Sequence, residues 1–225
     1  MALGSGGQLV PPVKLLDGPA CVYGILRGCG EIIRSCEWVG REYWHIDHGY
    51  LHGNKGYNGY YRITKNGRQW AGNGDYAADR FNGLQVRVRP WYRGGTNVVV
   101  CPISKMVADY EGIDHHQWLM AIVDEIQRNT ERPVVIKPKG EGSLFDLFRD
   151  AWCLVTHASN AAVDAVIAGI PVFTLGPSAA RPMGLSDLSK IDTPVYPDRE
   201  QWLNGLAYNQ WNLDEFRRGE LWEHM

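Results

Sequence analysis

The apolar positions of this chain fall into three regimes: a patterned front segment, a middle broken by glycine, and a regular second half. Over residues 19–39, Val22, Ile25, Leu26, Ile32 and Ile33 are separated by Arg, Glu and Ser, which predicts a helix interrupted around Gly28 and Gly30. A glycine-rich turn is the alternative for its start. Residues 43–46 predict a short strand that ends in Asp47-His48-Gly49-Tyr50. From Leu51 to Arg93, glycines at 53, 56, 59, 67, 72, 74 and 83 are interleaved with Tyr57, Tyr60, Tyr61, Trp70 and Tyr76. So much glycine disfavours helices, and loops with short strands at 60–63 and 84–88 are expected.

At Asn97 the rhythm changes. Residues 97–101, NVVVC, read as a buried strand followed by a turn containing Pro102 and Ser104. Asp114 precedes a helix over 115–128, with Trp118, Leu119, Ile122, Val123 and Ile126 on one face. A strand at 134–136 ends in Lys137-Pro138-Lys139-Gly140, Ser143 caps a short helix, and 152–155 forms a third strand. The stretch 153–174, CLVTHASNAAVDAVIAGIPVFT, then supplies a polar turn, a small-residue helix and a fourth strand at 172–175. Strands alternating with helices predict a doubly wound parallel sheet, an α/β fold. Two helices, 199–208 and 213–222, close the chain. The change near residue 95 divides it into 1–96 and 97–225.

Composition narrows the class further. A chain of 225 residues with 44% hydrophobic content can bury a substantial core. Its net charge of −2 gives no global attraction to nucleic acid or an anionic membrane. Five cysteines without a CxxC pair argue against a disulfide framework or a zinc site, and no stretch approaches the ~20 apolar residues of a membrane-spanning helix. A soluble cytoplasmic protein is expected. The opening MALGSGGQ is set aside from fold reasoning. Arg62, Lys65, Arg68, Arg87, Arg89 and Arg93 all fall in the loop-rich middle, as either a solvated face or a phosphate-facing acceptor surface.

The candidate chemistry gathers at strand ends, where open α/β sheets hold ligands. The helix start at Ser159 and Asn160 offers unpaired backbone N–H groups to an anion, and Lys137 and Lys139 at the end of the neighbouring strand add positive charge. Each residue also has a plain structural reading. Ser159 or Asn160 can be a helix cap, His157 a hydrogen-bonded rim histidine, the lysines solvated, and Asp47 the start of a turn with Gly49. Gly72-Asn73-Gly74 lacks the strand and helix of a dinucleotide fingerprint and is discounted. Asp114-His115-His116 is explained as a cap followed by two exposed histidines.

The series Lys137-Pro138-Lys139, Val155-Thr156-His157-Ala158-Ser159-Asn160, Asp164-Ala165 and Gly169-Ile170-Pro171-Val172 resembles the donor-binding half of GT-B glycosyltransferases. That resemblance implies a Rossmann-like donor domain over 97–225, C-terminal helices included, and a reduced, loop-rich acceptor domain over 1–96. It implies a nucleotide diphosphate-sugar as donor substrate, no prosthetic group and no metal. Ser104, Lys137, Lys139, His157, Ser159, Asn160 and Asp164 would hold the donor, with Asp164 at the family's acidic position on the ribose. Asp stands there where Glu is usual, so its reach is shorter. Asp47 would be the base that takes the acceptor proton, with His48 as runner-up.

Residues 43–50, YWHIDHGY, together with Tyr60-Tyr61-Arg62-Ile63-Thr64 look like small glycosyltransferase-like proteins of bacteriophages. This likeness implies a hydroxymethylated base of phage DNA as an acceptor and the host cytoplasm as location. Two alternatives stand beside it: a non-catalytic nucleotide- or protein-binding module of degenerate GT-B fold, and a sugar-nucleotide epimerase.

Overall fold

The computed structural model describes residues 18–224 except 54, 55, 57, 58 and 71–73. In chain order its front part carries β1 (Ala20–Tyr23), α1 (Cys29–Val39), β2 (Tyr43–His48), β3 (Tyr61–Lys65) and α2 (Asp79–Leu84). There follow β4 (Asn97–Cys101), α3 (Lys105–Glu111), α4 (His115–Asn129), β5 (Val134–Ile136), α5 (Leu144–Leu147), β6 (Ala151–Thr156), α6 (Ala161–Ile167) and β7 (Val172–Thr174). Then come α7 (Glu200–Tyr208), β8 (Gln210–Trp211) and α8 (Leu213–Arg218), followed by a 3-10 turn at Glu220–Glu223. No helix among the described residues is long and apolar enough to cross a membrane.

Two compact units result. One is Arg87–Trp202, and the other joins the chain before Arg87 to the chain from Leu203 onward. The expected division near residue 96 assigned the last helices to the second half. In the structure β8 pairs antiparallel with β3, Tyr61 opposite Trp211 and Arg62 opposite Gln210. Arg80 reinforces this join by donating to the carbonyls of Ala207 and Gln210 and to Glu215. A two-residue strand is too short to carry a periodicity, and only its partner reveals it.

In the first unit the sheet order is β1-β2-β3-β8, with β1 and β2 parallel and the other pairs antiparallel. In place of one interrupted helix over 19–39 there is a strand and then a helix. Gly24, Arg27 and Gly28 have positive φ (63°, 55° and 86°) and turn the chain between them. Ile33 and Cys36 of α1 pack with Val22 and Tyr43 on the sheet. A second cluster joins Ile46, Ile63, Trp211, Phe216 and Leu221. The strand expected at 84–88 is absent; α2 ends there, with Gln85 in the left-handed region at φ 57°.

In the second unit four parallel strands run in the order β5-β4-β6-β7. Val98, Val100, Cys153, Val155 and Phe173 point to one face and bury Ile126 of α4. Along each strand the intervening side chains, Val99, Leu154 and Val172, point the other way, toward the face on which α6 packs against β6 and β7. The crossovers from β4 and from β6 run in opposite directions along the sheet, which under the usual right-handed rule puts α4 and α6 on opposite faces, the doubly wound arrangement. The segment 89–92 is held on this unit: Arg89 and Tyr92 donate to the carbonyls of Ile167 and Gly169. At Gly169, φ is +83° and a Cβ would stand 2.1 Å from the Pro90 carbonyl oxygen, so only glycine fits.

Candidate functional site

In the order β5-β4-β6-β7, the chain leaves β4 toward one side of the sheet and β6 toward the other, so the crevice of this unit opens between their C-terminal ends. Thr156 ties those ends together, its hydroxyl donating to the Cys101 carbonyl at 2.8 Å. After β4 the chain enters α3, capped by Ser104, whose Oγ accepts from Val107 N at 3.3 Å. After β6 it runs through His157, Ala158, Ser159 and Asn160 into α6.

His157 is buried, and its Nε2 lies 2.6 Å from Glu111 Oε2 at the end of α3. Trp118 of α4 meets the ring edge-on, with centroids 6.1 Å apart. On another side the ring rests on Gly176, where a Cβ would approach it to 2.4 Å. Glu111 accepts from the ring in its Nε2–H form, in which a neutral imidazole presents Nδ1 as a hydrogen-bond acceptor. That nitrogen is buried and has no hydrogen-bond partner among the described residues.

The register assembles a second polar set. Cys101, Thr156 and Thr174 stand side by side on β4, β6 and β7, and Lys137 follows the Val100–Ile136 pair on β5. The Thr174 hydroxyl is fully buried without a partner among the described residues. Burial pushes the Cys101 thiol up to about 11, an effect eased by Lys137 and strengthened by Asp164, so both charges lie near this strand end. Asp164 sits in the first turn of α6, and burial raises its carboxyl from 3.8 to about 7. Lys137 donates to the carbonyl of Pro138 at 2.9 Å, Lys139 is exposed, and Ser159 Oγ accepts from Ala161 N at 3.2 Å. Asn160 occupies the cap position with a helical backbone and no capping bond from its side chain.

The sequence-predicted donor residues therefore divide. Ser104, Lys137, His157 and Asp164 gather along the C-terminal edge of the sheet, Ser159 and Asn160 line the turn into α6, and Lys139 lies farther out in solvent. Sequence reasoning missed Glu111, because α3 was not predicted. Its signals were present: Ser104 as cap, the Lys105–Asp109 pair one turn apart, and Gly112 as stop.

In the first unit Asp47 faces Arg62 across β2 and β3. Arg62 Nη2 donates to Asp47 Oδ2 at 3.1 Å, and the other carboxylate oxygen accepts from His48 N at 2.8 Å. Arg62 itself is only 5% exposed, with its guanidinium 5.1 Å from the Tyr50 ring centre. The His48 ring stacks on Tyr61 and meets Tyr23 edge-on. His45, two residues before Asp47, is buried with neither ring nitrogen partnered among the described residues, and burial followed by the Arg62 charge pushes it down to about 4. Lys65 pairs with Glu42. Of the six basic residues of the middle segment, Arg62, Lys65 and Arg68 belong to the first unit and Arg87, Arg89 and Arg93 to the second. Tyr57, Gly72, Asn73 and the opening MALGSGGQ lie outside the described residues.

No protein-family model matches the sequence, and no curated protein matches it. Among solved structures, the KpsC beta Kdo 2,7 transferase of Thermosulfurimonas dismutans is similar with a TM-score of 0.52 and 14% identity, over 92% of this chain and 84% of that one. The KpsC beta Kdo 2,4 transferase of the same organism gives a TM-score of 0.49 and 11% identity, over 85% of this chain and 80% of that one. At such identities the likeness speaks to fold alone, and only the first is strong enough to argue from. With its doubly wound parallel sheet and second, mixed-sheet unit, the chain has a GT-B-like α/β fold, similar to that of a known glycosyltransferase.

Proposed function

We propose that this protein is a glycosyltransferase that takes a sugar from a nucleotide-sugar held at the C-terminal edge of the parallel sheet. One observation carries the reading: in a chain of this fold, Lys137, Asp164 and the open Nδ1 of His157 belong to the strand ends where such sheets hold ligands. In this reading the donor is a nucleoside diphosphate-sugar. Lys137 and the backbone N–H groups after β6 neutralise the leaving phosphates without a metal, and Asp164 accepts from the ribose.

A thermal-shift screen of nucleotides and nucleotide-sugars tests this directly. A ligand at 100 times its Kd adds about 2.7 kcal/mol of stability. Lys137→Ala and Asp164→Ala are expected to reduce that gain, and the assignment fails if both keep the parent's response.

For the acceptor step we assign proton acceptance to His48 and a positioning role to Asp47, because both oxygens of Asp47 are already hydrogen-bonded within the strand pair. His48→Ala should lower kcat for sugar transfer by roughly 10²–10⁴-fold. Equal activity in that variant sinks the assignment.

The acceptor we favour is a saccharide hydroxyl, a choice supported by the likeness in fold to a Kdo transferase. A hydroxymethylated DNA base is the second reading, supported by exposed Arg87, Arg89 and Arg93 on one extended segment. DNA affinity would then fall with salt by about one log-log slope unit per phosphate contacted. Salt-independent or absent binding excludes it.

A further inference from the structure

A cavity of about 250 Å³ opens in the first unit, lined by Ile63, Tyr76, Tyr208, Asn209, Trp211 and His224. It lies below the ~300 Å³ where drug-sized sites begin, a volume suited to one ring. Four of its six lining residues are aromatic. Tyr76 and Tyr208 are tilted against each other, with centroids 5.6 Å apart at 30°, and so are Trp211 and His224, at 5.3 Å and 32°. Tyr208 and His224 meet at 6.0 Å, joining the two pairs. Half-buried Tyr208 and Asn209 and exposed His224 give access from solvent.

The rings are held before any ligand arrives. Trp70 packs edge-on against Tyr76, and the missing side chain of Gly205 admits both: a Cβ there would meet Trp70 at 2.3 Å and Tyr76 at 3.1 Å. Tyr208 donates its hydroxyl to Asp79 at 2.7 Å, and the Arg80 guanidinium lies 4.0 Å from the Trp211 ring centre. Rigid aromatic walls lower the entropy lost on binding.

Polarity selects the ligand. Asn209 uses its amide N–H on the Gly205 carbonyl, which leaves Oδ1 as an acceptor, and the Asp79 carboxylate stands beside Tyr208. Arg80 is engaged by Glu215 and two carbonyls, whereas Arg217–Asp214 and Arg218–Glu220 are exposed pairs. The Asp79 carboxylate on the Tyr208 hydroxyl disfavours a phosphodiester or an acidic sugar there. A neutral pyranose suits the pocket better, with its C–H face on the rings and a hydroxyl donating to Asn209 Oδ1.

We infer that this pocket binds one neutral pyranose ring of the acceptor saccharide. Its role as acceptor site rests on the transferase reading; the binding itself does not.

The test is titration of the full chain with neutral methyl pyranosides, N-acetylglucosamine, glucuronate and nucleosides, followed by calorimetry and ligand-observed NMR. Tyr208→Ala, Tyr208→Phe and His224→Ala are examined alongside, with melting temperature and the nucleotide-induced shift recorded on the same samples. At least one neutral pyranoside should bind saturably and lose about tenfold or more in affinity in the two alanine variants, the equivalent of about 1.4 kcal/mol. Tyr208→Phe should stay within about threefold, because the ring face is kept.

The inference is overturned if no neutral pyranoside binds, if binding is unchanged in both alanine variants, or if nucleosides or glucuronate bind in preference. Pyranoside binding without a nucleotide shift would refute the donor reading and leave the pocket standing. A nucleotide shift without pyranoside binding would do the reverse.

Discussion

Replacing Asp164 with Asn removes a carboxyl that the fold holds in an unfavourable place. Burial raises it from 3.8 to about 7, roughly three units at 1.36 kcal/mol each, or about 4 kcal/mol as an upper figure. The residue is half-buried and water reaches part of it, so about 2–4 kcal/mol is the working range. The sign follows from proton binding. Between pH 4 and 7 the folded state keeps a proton that the unfolded chain has released, so this contribution is fully present below about pH 4 and is lost as pH rises through about 7.

Asparagine cannot ionise, and the variant should match the parent near pH 4 while gaining stability steadily up to pH 7. At pH 8 the gain should approach about 2–4 kcal/mol, or roughly 5–15 °C in Tm for a chain of this size. Urea unfolding and calorimetry at pH 4.5, 6, 7 and 8 on both proteins measure it. A constant offset would report a lost contact of the carboxyl. The slope of the difference with pH carries the claim, and a flat difference refutes it.

Three further outcomes follow from the same structure. If the Asp164 carboxylate accepts from a ribose hydroxyl, nucleotide affinity should rise with pH through about 7 in the parent and stay level in Asp164→Asn, as read by calorimetric titration. His45 is buried neutral and pushed down to about 4, so the parent loses stability as pH falls from about 6.5 toward 4. His45→Phe should flatten that loss and add about 1–3 kcal/mol at pH 7 by removing unpartnered ring nitrogens, and a variant as acid-sensitive as the parent would contradict the reasoning. Gly169→Ala should destabilise by more than about 1 kcal/mol, since φ is +83° and the Pro90 carbonyl occupies the Cβ position; unchanged urea unfolding would show that the segment yields.

The second unit was legible in the sequence because a buried parallel strand advertises itself. Asn97–Cys101 and Val134–Ile136 coincide with the apolar runs that predict them, and Asp114 caps α4 as its position before the apolar stripe implies, accepting from Gln117 N. Their alternation with helices is enough to specify a doubly wound sheet. The first unit was far less legible. Its expected strand at 84–88 is absent, and the helix expected from residue 19 begins only at Cys29, because glycines and Arg27 permit left-handed turns that no periodicity records.

What the sequence alone determined is local: which runs are apolar enough to be buried, where helices can start and stop, and which polar residues must fall at strand ends. Only tertiary structure decided the pairings. It set Glu111 against His157, engaged Asp47 with buried Arg62, returned β8 to the first sheet, and gathered Ile63, Tyr76, Tyr208 and His224 around one cavity. Each joins residues far apart in the chain. Such contacts depend on register and packing between elements, whereas hydrophobic periodicity carries information only within one element.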